Sequence, residues 1–272
     1  MLRLFIVALA ISSLAIAAAG QAAPSALDQG YRDMYNLQFD DAHTVFHTWQ
    51  AAHPDDPLGA VSDAAAYLFA EFDRLHILES ELFVDNAKFE SRARPSPDAQ
   101  AKQAFERQLA TADQLADKSL ARDGNNGDAL FAKVLALGLR GDYAALIEKR
   151  DLAGLGFMKN GRQLAEKLLT LHPAYYDAYL AVGVENYLLS LKPAPVRWIL
   201  HMTGAQTDRA AGLKQLQLTA DKGHFLLPYA RLLLAVAALR DKNRQQAREL
   251  LDGLAREFPS NHLYTEELSK LK

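Results

Sequence analysis

The 272-residue sequence contains no cysteine. This absence excludes disulfide bonds, thiolate metal sites, cysteine nucleophiles and a lipid-modified cysteine near the N-terminus. The fold must therefore be held by burial of apolar side chains, and a hydrophobic content of 50% is sufficient for a sizeable core.

An excess of positive charge is also missing. Lys and Arg together number 30, against 33 Asp and Glu, which gives a formal net charge of -3. A protein with this balance has no basic field to attract a polyanion, so we expect no nucleic-acid partner.

Short catalytic signatures are absent too. The sequence has no G-x-S-x-G elbow, no H-E-x-x-H pair and no phosphate-binding glycine loop. We therefore expect a protein that is not an enzyme and needs no cofactor. One alternative stays open, because sites built from distant residues leave no short motif: an enzyme, or a small-ligand or metal carrier, with its site in a groove between helices.

Residues 1–22 have the features of a secretory signal peptide. Arg3 is followed by an uncharged apolar run and then by small residues, and we expect cleavage after Ala22. An uncleaved anchor is the alternative, but the Ala- and Ser-rich second half of the run is weak for that role. We expect an exported chain, periplasmic or secreted, with no stable membrane insertion after cleavage.

Apolar residues then recur at helical spacing along most of the chain. Phe39, Ala42 and Phe46 follow the rhythm of one helix face, and Pro54 ends that helix. The same unit of two amphipathic helices joined by a turn recurs around Pro173. The predicted helices cover residues 26–34, 40–52, 58–72, 98–121, 128–139, 159–171, 175–191, 208–222, 226–239, 244–257 and 263–271.

The spacing of Gly30, Ala42, Phe46 and Pro54 resembles the tetratricopeptide repeat, in which small residues stand where two helices cross and a proline closes the unit. The resemblance extends over most of residues 25–262. It implies an all-α fold, a right-handed α-solenoid of antiparallel helix pairs. It also implies a non-catalytic scaffold of the cell envelope whose partner is a protein or peptide.

Three departures from the repeat are predicted within this single domain, which spans residues 24–272. They are insertions near residues 75–97, 144–158 and 192–207. The second insertion is predicted to be a separate helix that follows a turn at residues 141–143. The third contains a short apolar segment with Arg197 and Trp198, whose length favours a packed connector over a membrane-surface helix.

Aromatic residues of the first helix in each pair would face a groove if the repeat register holds. Such a surface suits an extended peptide or an amphipathic helix. The alternative is that these side chains belong to the core, as apolar residues at helical spacing usually do. The candidate groove residues are Tyr31, Met34, Tyr35, Phe69, Phe131, Tyr187 and Tyr229, with Glu185 and Asn186 as polar contacts beside Tyr187.

Two polar features carry further expectations. Glu185 interrupts an apolar helix and would be costly to bury alone, so we expect Arg197 or Arg209 to approach it. His43 and His47 have the four-residue spacing of paired metal ligands, but no Glu or Cys ligand accompanies them at zinc-motif spacing. We therefore expect solvated surface histidines and no metal.

Overall fold

A computed structural model describes residues 25–77, 93, 95–192, 194–202 and 204–271, and in these ranges the regular structure is entirely helical. A π-helical turn covers Tyr143–Ile147 and a 3-10 turn covers Tyr176–Ala178. The α-helices are α1 (Ala26–Tyr35), α2 (Phe39–Ala52), α3 (Pro57–Arg74), α4 (Ala99–Arg122), α5 (Gly127–Asp142), α6 (Asp151–Leu171), α7 (Tyr179–Ser190), α8 (Ala194–Met202), α9 (Arg209–Lys222), α10 (Leu227–Arg240), α11 (Arg244–Glu257) and α12 (His262–Lys270).

Most helices begin at a short polar residue whose side chain accepts a hydrogen bond from a backbone N–H of the first turn. That bond satisfies one of the donors that a helix start leaves free. At Ser25 the arrangement is a full capping box with Asp28. The residues that cap in this way are Ser25, Asp56, Asp98, Asn126, Asp208, Asn243 and Asn261.

Three helices end two residues before a proline, as the sequence predicts. The last residues of α2, α6 and α11 are followed by His53, His172 and Phe258, whose backbones leave the helical region. A proline disfavours the helical conformation of the residue before it, so each end is set locally.

Helices near each other in the chain pack together: α1 with α2, α3 with α4, α5 with α6, α7 with α9 and α10 with α11. The closest crossing joins α7 and α9. A Cβ placed on Gly212 would lie 2.6 Å from the backbone nitrogen of Tyr187, and one on Gly183 would lie 3.0 Å from the Gly212 carbonyl oxygen. Only glycine allows the two backbones this approach.

The prediction for residues 141–158 is wrong in two respects. Helix α5 continues through Gly141 to Asp142 and passes into the π-helical turn, so the turn at residues 141–143 is absent. The chain reverses instead near Lys149, which has a positive φ of 55°. Helix α6 then runs unbroken over Asp151–Leu171, so the predicted insertion at residues 144–158 is divided between the π-helical turn and the first part of α6.

The prediction of a packed connector at residues 192–207 also needs correction. The segment contains a nine-residue helix, α8, and its Trp198 and Met202 side chains are 67% and 71% exposed. This helix projects large apolar groups into solvent.

The two ends of the described chain meet. The Tyr35 hydroxyl donates to the carbonyl oxygen of Phe225 at 3.0 Å, and the Asn261 amide donates to the carbonyl oxygen of Tyr35 at 2.9 Å. The rings of Tyr31 and Phe225 stack with centroids 4.6 Å apart. Helix α1 is therefore packed against the C-terminal helices as well as against its neighbours in sequence.

The predicted signal peptide, residues 1–22, and most of the first insertion, residues 75–97, lie outside the described residues. Among the helices that the structure describes, none combines the length and the apolar character needed to cross a membrane.

Candidate functional site

A partly enclosed apolar cavity of about 70 Å³ lies where α1, α3, α10 and α12 converge. Its walls are almost entirely aliphatic and aromatic. The residues that line it are Met34, Tyr35, Leu37, Phe69, Phe72, Leu146, Tyr229, Leu232, Leu233, Ala235, Val236, Leu239, Leu251, Asn261, Leu263, Tyr264 and Glu267.

Three aromatic rings form one side of this cavity because their helices converge there. The Phe69 ring meets the Tyr229 ring edge-on with centroids 5.6 Å apart, and it meets the Tyr35 ring at 6.4 Å. These rings come from α1, α3 and α10. The cavity therefore exists only when the two ends of the chain are together.

The polar side chains in the cavity wall are already engaged. Asn261 donates to the carbonyl oxygen of Tyr35, and Glu267 accepts from Lys270 at 2.8 Å. Burial raises the pKa of the phenols of Tyr35, Tyr229 and Tyr264, which therefore stay neutral near pH 7. The cavity is suited to an apolar group.

One titratable group at the end of α5 acts on the cavity. Burial raises the pKa of Asp142 to about 7, and its charge in turn raises the pKa of the Tyr229 phenol further. A carboxyl group that gains or loses its proton near neutral pH makes the charge beside this wall dependent on pH.

The predicted groove residues fall into two groups. Met34, Tyr35, Phe69 and Tyr229 line the cavity, whereas Tyr31, Phe131 and Tyr187 do not. Met34 and Tyr35 are nevertheless as buried as the second group. The first group comes together although its members are up to about 195 positions apart in the chain.

Glu185 and Asn186 lie away from the cavity and are 1% exposed. The expected pairing of Glu185 with Arg197 or Arg209 is wrong. Its partner is Arg162 of α6, whose Nε lies 3.0 Å from Glu185 Oε1. Arg209 pairs with Asp241 and Arg197 donates to backbone carbonyls. Arg162 and Arg209 are almost equally distant from Glu185 in the sequence, so only the packing of α6 against α7 decides between them.

This charged pair holds the connector that leads from α8 into α9. Arg162 donates to the carbonyl oxygen of Gly204 at 3.2 Å, and the backbone N–H of Gln206 donates to Glu185 at 3.3 Å. The Asn186 amide oxygen accepts from the Asp208 backbone N–H at 3.2 Å. Burial raises the pKa of Glu185 and the Arg162 charge opposes that rise. Glu185 and Asn186 therefore bind other residues of this protein.

His43 and His47 both contact a buried carboxylate, unlike the expected solvated histidines. His43 Nδ1 lies 2.6 Å from one carboxylate oxygen of Asp63, and His47 Nε2 lies 3.0 Å from the other. Asp63 is fully buried in α3, and the His43 ring packs on Tyr67 with centroids 4.0 Å apart. Across the described residues, no group of three or more His, Cys, Asp or Glu is arranged to hold a metal ion.

Three buried carboxylates were missed in the sequence. Asp63 of α3 contacts both histidines of α2. Glu71 accepts hydrogen bonds from the Arg74 side chain and from the backbone N–H of Asp98. Asp177 accepts hydrogen bonds from the backbone N–H groups of residues 224–226. Asp63 and Glu71 lie among mostly apolar residues in α3, although Asp73 and Arg74 follow Glu71 closely. The signal that singled out Glu185 would have found them.

Comparisons of this chain with protein-family models, with curated proteins and with solved structures return no match.

Proposed function

We propose that this chain is a non-catalytic protein- or peptide-binding scaffold of the cell envelope. Its helix pairs would form a right-handed α-solenoid of the tetratricopeptide type, curved enough for the two ends to touch. Export rests on the signal-like residues 1–22. Support for the repeat comes from the small residues at helix crossings, such as Gly30 against the Phe46 ring, and from the proline-terminated second helices.

The observation that carries the proposal is the apolar cavity between α1, α3, α10 and α12. A cavity of about 150 Å³ accommodates a benzene ring, so the 70 Å³ found in this chain is on the scale of one aliphatic side chain. Small-molecule sites start at about 300 Å³. The size therefore favours an anchor residue of a peptide over a free cofactor or substrate.

The chemistry of the wall agrees with that choice. Aromatic rings that give a deep, dry contact to one inserted residue are typical of binding hot spots. The polar groups in the wall, Asn261 and Glu267, are committed to partners within the protein. This favours recognition by burial over acid–base chemistry.

A filled cavity tests the proposal. Val236→Phe adds a ring to the cavity wall, and Leu152→Phe adds the same ring type at a side chain that is 86% exposed elsewhere. Peptides selected from a displayed random library on the wild-type chain should carry a large aliphatic residue. They should lose at least about tenfold in affinity for Val236→Phe and none for Leu152→Phe.

Two results would count against a peptide scaffold. The first is a library that yields no peptide enriched for an apolar residue. The second is a set of selected peptides that bind Val236→Phe as tightly as the wild type while circular dichroism shows both variants folded.

A further inference from the structure

The apolar exposure of this chain is concentrated on α8. Three of the six large hydrophobic residues that are exposed in the described structure lie on this nine-residue helix, namely Val196, Trp198 and Met202. Trp198 and Met202 are one helical turn apart and so lie on the same face. Single exposed apolar residues are ordinary, but a tryptophan and a methionine side by side at this exposure require an explanation.

The charged side chains of the segment that contains this helix have one sign. Residues 191–207 contain Lys192 and Arg197 and no Asp or Glu, in a chain whose net charge is -3. Lys192 is exposed, and Arg197 donates to the carbonyl oxygens of Ser190 and Lys192 at 3.3 and 3.0 Å. The segment is a local cationic and apolar surface on an otherwise acidic protein.

Both flanks of the helix are fixed to the body of the protein. Arg197 joins the start of α8 to the end of α7, and the Arg162–Glu185 pair holds Gly204 and Gln206 just beyond its last turn. A buried ion pair is expensive to desolvate. The Arg162–Glu185 pair keeps this short helix, with its exposed apolar groups, in a defined orientation.

We infer that α8 is a membrane-surface helix that docks the protein on an anionic lipid bilayer. Trp198 and Met202 enter the headgroup region, and Lys192 and Arg197 lie near lipid phosphates. Tryptophan is enriched at membrane interfaces, and each basic residue near an anionic surface adds to binding. This inference is independent of the peptide-binding proposal.

A bilayer fits this face better than a protein partner does. A standard protein interface buries about 800 Å² on each side, whereas the exposed apolar side chains described on α8 are Val196, Trp198 and Met202. A bilayer needs no shape complementarity, and the absence of acidic residues in the segment matches an anionic surface.

Tryptophan fluorescence tests the docking directly, because the sequence has two tryptophans. The Trp49→Phe variant leaves Trp198 as the sole indole. The Trp198→Phe variant leaves Trp49, whose indole N–H donates a hydrogen bond to the Asp56 carboxylate at 2.7 Å. Both full-length variants are mixed with vesicles of phosphatidylglycerol and phosphatidylethanolamine, and with vesicles of phosphatidylcholine.

We expect the emission of Trp198 to shift to shorter wavelength with the anionic vesicles only, while the emission of Trp49 stays constant. At about 1 M salt, where the Debye length is about 3 Å, the shift should shrink strongly. In the wild-type background, Trp198→Ser combined with Met202→Ser should reduce the fraction that sediments with anionic vesicles at least about fivefold. Leu152→Ser, at the exposed leucine of α6, is the control and should sediment like the wild type.

The inference is overturned if Trp198 emission does not respond to anionic vesicles, even if the chain sediments with them, since another segment would then be responsible. An equal response to phosphatidylcholine would overturn the role of lipid charge. A shift produced by an envelope protein extract depleted of lipid, and not by vesicles, would assign this face to a protein partner and refute the lipid surface.

Discussion

Individual glycines decide how closely the helices of this protein pack. Gly212 meets the backbone of a neighbouring helix, because an added Cβ would lie 2.6 Å from the backbone nitrogen of Tyr187 and 3.0 Å from Asn186 Cβ. Backbone cannot move aside as the end of a flexible side chain can. Gly253 in α11 is the opposite case, with no atom within 4 Å of an added Cβ.

These two glycines give a paired prediction. We expect Gly212→Ala to lower the free energy of unfolding by about 2 to 3 kcal/mol, since it overpacks the α7–α9 crossing. Gly253→Ala should raise it by about 0.5 to 1 kcal/mol, because alanine restricts the unfolded chain and favours helix. Urea unfolding of both variants measures the difference. Equal stabilities for the two would mean that α7 and α9 do not approach as closely as described.

Asp142 provides the pH dependence at the residue scale. An aspartate in an unfolded chain has a pKa of about 3.9, and burial raises the pKa of Asp142 to about 7. The folded state therefore binds the proton more tightly than the unfolded state does. The stability that comes from this proton is fully present below about pH 4 and is lost as the pH rises through 7.

We therefore predict that Asp142→Asn stabilises the protein at pH 8 and has little effect at pH 4. In a fully buried carboxyl group this pKa shift would correspond to a larger gain in stability. Because the Asp142 side chain is half-buried and partly screened by solvent, we expect the free energy of unfolding to rise by about 1 to 2 kcal/mol at pH 8. Urea unfolding at the two pH values checks it. The same gain at both pH values would contradict the assignment of the raised pKa to this residue.

At the scale of elements, the α8–α9 connector depends on one ion pair. Arg162 and Glu185 are 5% and 1% exposed, and Glu185 Oε2 has no hydrogen-bond partner in the described structure. The pair is thus already incompletely satisfied. Removing the cation would leave a buried charge with weaker compensation.

Arg162→Met is expected to destabilise the fold by about 3 to 5 kcal/mol. Adding Glu185→Leu should recover a large part of this loss, because the second variant removes the uncompensated charge. Thermal melting gives the stabilities, and hydrogen exchange of residues 204–208 should speed up in the single variant. If the single variant melts like the wild type, the ion pair does not hold the connector.

The ends of helices were predictable where a local signal determines them. Pro54, Pro173 and Pro259 each disfavour the helical conformation of the residue before them, which is a local effect. The segment around Gly141 was different. Gly141 and Gly154 face each other across α5 and α6, and a Cβ on Gly154 would lie 3.3 Å from the Gly141 carbonyl oxygen. Gly141 allows two helices to cross closely, and the sequence alone could not distinguish this role from a role in a turn.

For the whole molecule, the contact between the two ends makes stability non-local. In an open repeat array each unit contacts only its neighbours, so a substitution in the last pair would leave the first pair unaffected. In this chain Phe258 packs on Tyr35 with ring centroids 5.5 Å apart and lies under Arg32. The last pair therefore supports the first.

We predict that Phe258→Ala lowers stability by about 3 to 5 kcal/mol and also exposes the amides of α1 to faster hydrogen exchange. Phe105→Ala is the matched control, because Phe105 is about equally buried but its ring stacks on Tyr143 of the π-helical turn and not on Tyr35 of α1. Native-state exchange read by mass spectrometry distinguishes the two. If α1 keeps its protection in Phe258→Ala and loses it in Phe105→Ala, the ends do not stabilise each other.

The candidate site also belongs to this scale. Tyr35, Phe69 and Tyr229 were found in the sequence as aromatic residues at helical spacing, together with Tyr31 and Phe131. Nothing in the spacing separates the first group from the second. The separation depends on which rings border the cavity formed by α1, α3, α10 and α12, and those helices are distant in the chain.

The sequence by itself determined the helical character of the described chain, most helix ends and the small residues at crossings, because these depend on side-chain periodicity, caps and prolines within a few residues. The tertiary structure alone decided the meeting of the two ends, the cavity there, the Arg162 partner of Glu185 and the exposure of Trp198. Each of these depends on contacts, or on missing contacts, between different helices, for which no local pattern exists.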